Sequence, residues 1–186
     1  MMTTTFRRRA AKGFTLIELL IVVIIIAILA AIAIPQFSSS SGDAQESAAT
    51  ANLSSLRSAI ELYRVQHNNI YPSKNNSKVG ATCTNGTAGT GDADTEAAFK
   101  DQLTMYSDAD GHTCSVAAAT YIYGPYLRAI PVEPITSAAT VTVVTADATS
   151  PAGAATTGWR FVNTTGKFQI NTNKVARDGT TKLSDK

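Results

Sequence analysis

The stretch Phe14-Thr15-Leu16-Ile17-Glu18-Leu19-Leu20, continued by an unbroken apolar series to Ile34 and closed by Pro35, decides how this chain is built. Phe14 to Ile34 is 21 residues. At ~1.5 Å per residue a helix of that length reaches about 31 Å, one hydrocarbon thickness, so it can span a bilayer. Its one formal charge is Glu18, one turn after Phe14. A carboxylate near lipid is costly unless something pairs with it. Directly upstream stand Arg7, Arg8, Arg9 and Lys12 with no acid among them. A positive cluster before an apolar run stays cytoplasmic and sends the C-terminal bulk across the membrane. The chain's formal charge is +2, but without those four bases twelve bases face fourteen acids, a net −2. A basic surface for nucleic acid therefore has little support. A conventional secretory leader is the competing reading, with Arg7 to Lys12 as basic region, Leu19 to Ala30 as apolar core and Ala31-Ile32-Ala33 as cleavage site. That reading leaves Glu18 without a purpose.

At 186 residues, with 44% hydrophobic and 7% aromatic content, the chain has room for one modest domain beyond this segment. After Pro35, Leu53, Leu56, Ile60 and Tyr63 recur at spacings of three, four and three, one face of a helix. Phe37, Ala44, Ala48 and Ala51 continue that face upstream, and polar Ser38 to Asp43 makes the stretch after Pro35 its weakest part. Tyr71-Pro72 ends the helical pattern, and Ser73 to Asp94 reads as loop. Glu96 to Tyr106 suggests a short helix. Strand candidates are Val116 to Tyr123, Val141 to Thr145, Trp159 to Val162 and Lys167 to Asn171. The last two flank Asn163-Thr164-Thr165-Gly166, a turn-rich link that predicts a β-hairpin.

Lys12-Gly13-Phe14-Thr15-Leu16-Ile17-Glu18-Leu19-Leu20 resembles the cleavage and methylation motif of type IV pilins and type II secretion pseudopilins, and the likeness runs on through the apolar series to Pro35. The resemblance implies that a prepilin peptidase cuts after Gly13 and methylates Phe14. Glu18 then becomes the fifth mature residue, and in such filaments it would pair with the Phe14 ammonium of a neighbouring subunit, neutralising both charges and fixing the stagger. It also implies one long helix, with Pro35 as a point of bending or local melting. The expected fold is α+β: a membrane half and an amphipathic half of one N-terminal helix, packed on a small antiparallel β-sheet head. The expected organisation is a leader over 1–13, a transmembrane and filament-core helix over 14–35, an amphipathic helix over 36–70 and a head over 71–186. Phe14, Glu18 and Pro35 are the expected assembly residues, and Gly13 and Phe14 the processing residues.

Three segments are similar to the major pseudopilin in particular: Asn69-Ile70-Tyr71-Pro72, Gly124-Pro125-Tyr126-Leu127-Arg128-Ala129-Ile130-Pro131, and Gly158-Trp159 with Thr165-Gly166-Lys167. The chain departs from that pattern where an acidic calcium loop would stand, since Val132-Glu133-Pro134 is followed by Thr, Ala and Val. Cys83 and Cys114 lie in the exported part, where oxidation is permitted, and read as one disulfide. They are 31 positions apart, a loop worth about 3.5 to 4 kcal/mol in the chain-entropy picture.

Asp108-Ala109-Asp110-Gly111-His112-Thr113 lacks the further acids and terminal Glu of a calcium loop and reads as a solvated turn beside Cys114. His67 and His112 have no ligand-spaced companions and are expected at the surface. No catalytic residue, metal or cofactor is expected. The reading is therefore a non-enzymatic subunit of a homo-oligomeric helical filament, held in the bacterial inner membrane before assembly and extracellular or periplasmic afterwards. Its implied partners are the prepilin peptidase and methylase, an inner-membrane assembly platform and its ATPase. A surface pilus and a secretion pseudopilus both remain open, as does a Sec-secreted or membrane-tethered binding domain or enzyme.

Overall fold

The computed structural model describes residues 13–78, 83–147, 157–176 and 178–185, so Arg7, Arg8, Arg9 and Lys12 lie outside the described residues. The chain divides into two units, Met1–Ser41 and Gly42–Lys186. Helix α1 (Leu16–Gln66) begins in the first and ends in the second. In the first unit, Leu16–Ile34 has a mean hydropathy of 3.3 and none of it is buried by the rest of the chain. The backbone stays helical at Pro35 and across 38–43, where the sequence suggests local melting. Proline removes one N–H from the ladder, and the intact bonds on either side of it are enough to keep the turn closed.

In the second unit α1 buries the predicted face, with Leu53, Leu56, Ile60 and Tyr63 joined by Ala49. The helix stops at Gln66, short of the expected Ile70. Asn68 is left-handed at φ 53°, and the Asn69 N–H donates back to the Arg64 carbonyl at 2.9 Å. That six-to-one bond around a left-handed asparagine is a Schellman stop. Helix α2 (Glu96–Thr104) is capped by Thr95, whose Oγ1 accepts from the Ala98 N–H at 3.2 Å, and it buries Phe99 and Leu103.

Strands β1 (Tyr106–Ser107) and β2 (Thr113–Cys114) form a small antiparallel pair. Strands β3 (Val141–Val144), β4 (Trp159–Val162) and β5 (Phe168–Ile170) form a sheet in that spatial order. The predicted hairpin is β4–β5, with Trp159 opposite Ile170 and Phe161 opposite Phe168. All four of these side chains belong to the same core as the α1 face. Gly166 in the connecting turn has φ +76°, and a Cβ there would sit 2.3 Å from the Tyr71 ring, so glycine is required twice over.

The sheet differs from the expectation in being mixed. β3 pairs with β4 in parallel, Val141 beside Trp159 through Val144 beside Val162. A parallel pair needs a connection of roughly a dozen residues or more, and fourteen positions, 145 to 158, separate β3 from β4 in the sequence. The expected strand Val116 to Tyr123 does not form; Tyr123 makes only an isolated bridge to Ser107. Residues 117–120 are exposed, and their small side chains offer no face to bury. The short β1–β2 pair was not legible because two-residue strands carry no periodicity.

Candidate assembly and processing site

Gly13 precedes the helix, and a Cβ placed on it would meet nothing within 4 Å. Phe14 is 81% exposed. Thr15 stands at the N-cap position, and its Oγ1 accepts from the Glu18 N–H at 3.3 Å. Glu18 Oε2 accepts from the Thr15 N–H at 3.0 Å and from Thr15 Oγ1 at 2.7 Å. Threonine and glutamate three residues apart, each closing on the other's backbone N–H, form a capping box. Glu18 therefore has a local task at the helix start that the sequence reading missed, although Thr-x-x-Glu before an apolar run is its signature. The same carboxylate remains exposed, as does the apolar span behind it. Pro35 lies on the helical backbone at the end of that span.

In the head, Cys83 Sγ and Cys114 Sγ are bonded at 2.00 Å. Around them the Gly89 N–H donates to the Thr113 carbonyl at 3.0 Å and the Ser115 N–H to the Thr87 carbonyl at 2.9 Å, so the loop runs along β2. The Asp101 carboxylate accepts from Ser77 Oγ at 2.7 Å and from the Thr90 N–H at 2.9 Å, tying the same loop to α2.

His67 is not at the surface. It is 1% exposed, stacked on Tyr63 at 3.7 Å between ring centroids. Its Nδ1 lies 2.8 Å from the Tyr63 carbonyl, which can only accept, so Nδ1 carries the proton. Nε2 then accepts from Ser107 Oγ at 2.9 Å. Burial pushes its pKa below the ordinary histidine value, against a weaker upward pull from the Tyr63 carbonyl and Asp108. A lone histidine carries no periodic signal of its own, and this one falls one turn after Tyr63, on the buried face. His112 is half-buried, its Nδ1 2.9 Å from Asp108 Oδ2.

Asp108 Oδ1 accepts from the Asp110 N–H at 3.0 Å and the His112 N–H at 2.9 Å, so the turn is closed by its own carboxylate. Glu133 is buried, and its two oxygens accept from the Ile135 N–H at 2.9 Å and the Thr136 N–H at 2.6 Å. Both acids are occupied by their own loops. Among the described residues no three His, Cys, Asp or Glu converge as a metal site.

The architecture defines a class: a protein with a solvent-bared apolar N-terminal helix long enough to cross a membrane and an α+β head. Residues 8–34 match the prokaryotic N-terminal methylation motif. The chain is 47% identical over 53 residues to a fimbrial protein of Pseudomonas aeruginosa, covering 28% of this chain and 34% of that one. It is 39% identical over 67 residues to the type II secretion system core protein G of the same organism, covering 36% of this chain and 46% of that one. The matches thus span a third to just under half of those relatives' lengths. No solved structure matches. Together these likenesses support the type IV pilin and pseudopilin family for this chain.

Proposed function

We propose that this chain is a structural, non-enzymatic subunit of a type IV pilus-like filament, cut after Gly13 by a prepilin peptidase, methylated on Phe14 and assembled through its N-terminal helix. What carries the reading is the span Leu16–Ile34, apolar and wholly uncovered by the chain itself. Such a surface is stable only against lipid or against other copies of the same helix. A filament subunit uses both in turn: the bilayer before assembly, the helical bundle afterwards. The methylation motif matched over residues 8–34 and the likeness to a fimbrial protein support it. An assembly platform in the inner membrane with a cytoplasmic ATPase would move subunits from one environment to the other. Intact mass and N-terminal sequencing test the first step. A chain beginning at N-methylated Phe14 supports assembly, whereas one beginning at Ile34 indicates ordinary secretion of a binding domain or enzyme. Electron microscopy of sheared surface material, with this chain identified in it, tests the second.

A major pseudopilin of type II secretion is the second reading, favoured by how the three motif segments meet. Tyr71 from the first lies against Gly166 of the third. Trp159 Nε1, also of the third, donates to the carbonyl of Pro131, the end of the middle segment, at 2.9 Å. Loss of protein secretion on deletion, with no sheared fibre in the parent strain, would select this reading over the surface pilus.

A further inference from the structure

At the C-terminal end of α1 a cleft of about 360 Å³ opens between the helix end and the β4–β5 turn, lined among others by Arg64, Asn69, Tyr71, Lys74, Asn163 and Thr164. Neither the filament reading nor the disulfide uses it. Two polar atoms in its wall lack hydrogen-bond partners among the described residues while shielded from water: Arg64 Nε, a donor, and Asn163 Oδ1, an acceptor. The Asn163 amide cannot be turned round to relieve this. Its Nδ2 donates to Asp94 Oδ1 at 2.6 Å and to the Ser73 carbonyl at 3.3 Å, and both of those can only accept as they stand. An unpaired buried polar atom is unfavourable enough to call for a reason.

The surroundings are chemically mixed. The Arg64 guanidinium sits 5.2 Å over the Tyr71 ring and is paired with Glu61 at 2.8 Å. Tyr71 is wedged against Gly166 and edge-on to Phe161. Three residues that shape the cleft or hold Asn163 are non-glycines at positive φ: Asn69 at 64°, Ser73 at 65° and Asp94 at 63°. Such strain persists only where the surroundings over-determine it. Lys74, Asn69 and Thr164 are exposed at the rim, so the cleft is open to solvent and admits a unit of a longer chain.

We propose that this cleft binds one acidic sugar unit, a hydroxylated ring bearing a carboxylate. Lys74 and the Arg64 guanidinium receive the carboxylate, the Tyr71 ring flanks the sugar's apolar face, and ring hydroxyls meet Thr164, Asn69 and the unpartnered Asn163 Oδ1. Reaching the shielded atoms takes a side-chain rotation at the wall. A neutral sugar lacks the charge for the cations, and a simple carboxylate lacks the donor for Asn163.

The test is calorimetric or NMR titration of the full chain in detergent micelles with D-glucuronate, D-glucose and acetate. Saturable glucuronate binding is expected, with glucose and acetate each at least about tenfold weaker, the order of one charge-assisted hydrogen bond. Lys74→Ala, at an exposed position, should weaken glucuronate about tenfold with unchanged thermal unfolding, and Lys78→Ala, outside the cleft, should not. The proposal is overturned by no saturable binding, by glucose or acetate matching glucuronate, or by Lys74→Ala binding like the parent. None of these outcomes bears on filament assembly.

Discussion

At the scale of single residues, the N-terminal segment separates two demands that fall on neighbouring positions. Among the described residues nothing requires glycine at 13, since a Cβ there meets no atom within 4 Å. Gly13→Val should therefore leave the head's thermal unfolding unchanged while unprocessed precursor accumulates in membranes; normal mature mass from that variant would count against cleavage after Gly13. Glu18 has two candidate tasks, the capping box with Thr15 and the pairing with a neighbour's Phe14 ammonium. Glutamine fills the capping position as well as glutamate does but carries no charge. Glu18→Gln and Glu18→Ala should both be cut yet give few filaments, Glu18→Asp should assemble partly, and Thr15→Ala should lose about 1 kcal/mol of helix-start stability and still assemble. Abundant filaments from the Gln variant, in cells without a wild-type copy, would sink the ion pair and leave the cap as the explanation. His67 sets a pH dependence in the head. Its folded pKa lies below the unfolded value, so the unfolded chain binds more protons once the pH falls below about 6.5. The contribution is fully present above that value and is lost as the pH falls towards the folded pKa, by at most about 1.4 kcal/mol per pH unit. The groups facing the ring are Tyr63, Tyr123, Tyr126 and Asp108. Urea melts between pH 7.5 and 5 should show the parent losing stability faster than His67→Gln; parallel profiles would refute the assignment.

At the scale of elements, the two halves of α1 obey different rules. The N-terminal half is apolar all round and is not buried by the rest of the chain, whereas the head half is amphipathic and buries one stripe. Leu56 is fully buried and Leu62, six residues on, is half exposed. Leu56→Ala should cost about 2 to 5 kcal/mol of head stability through lost burial and the cavity left behind. Leu62→Ala should change it by no more than about 0.5 kcal/mol in the isolated subunit. Equal losses in chemical denaturation would mean that the helix packs by a different face. The stripe was readable because its spacing of three, four and three is the helical period itself. The β4–β5 hairpin was readable for the same reason, with aromatic strands on either side of a turn ending in glycine. The parallel pairing of β3 was not, because the composition of a four-residue strand does not say which neighbour it will lie beside. Nor was the Schellman stop at Asn68, since asparagine enters the left-handed region only when the bonds around it reward it.

At the scale of the whole molecule, the head is held by one aromatic and aliphatic core and by the Cys83–Cys114 bridge, which closes 31 positions of loop-rich chain. Removing the bridge by Cys83→Ser with Cys114→Ser should lower head stability by about 3.5 to 4 kcal/mol, an upper figure because the reduced chain keeps some structure. Membrane insertion of the N-terminal helix should be unaffected. Thiol labelling of the native protein without reductant should find no reactive cysteine; two free thiols, or a dimer that reductant dissolves, would exclude the intramolecular bond. Sequence alone determined the apolar span, the cluster of bases ahead of it, the buried stripe of α1, the short α2 and the closing hairpin. Each is a local pattern in which neighbouring residues must agree on period, charge or turn chemistry. Only the tertiary structure decided the parallel pairing of β3, the burial of His67 and the cleft beside Asn163. Those depend on which distant backbone groups arrive within hydrogen-bond reach, and hydrogen bonds across tens of residues leave no periodicity along the chain.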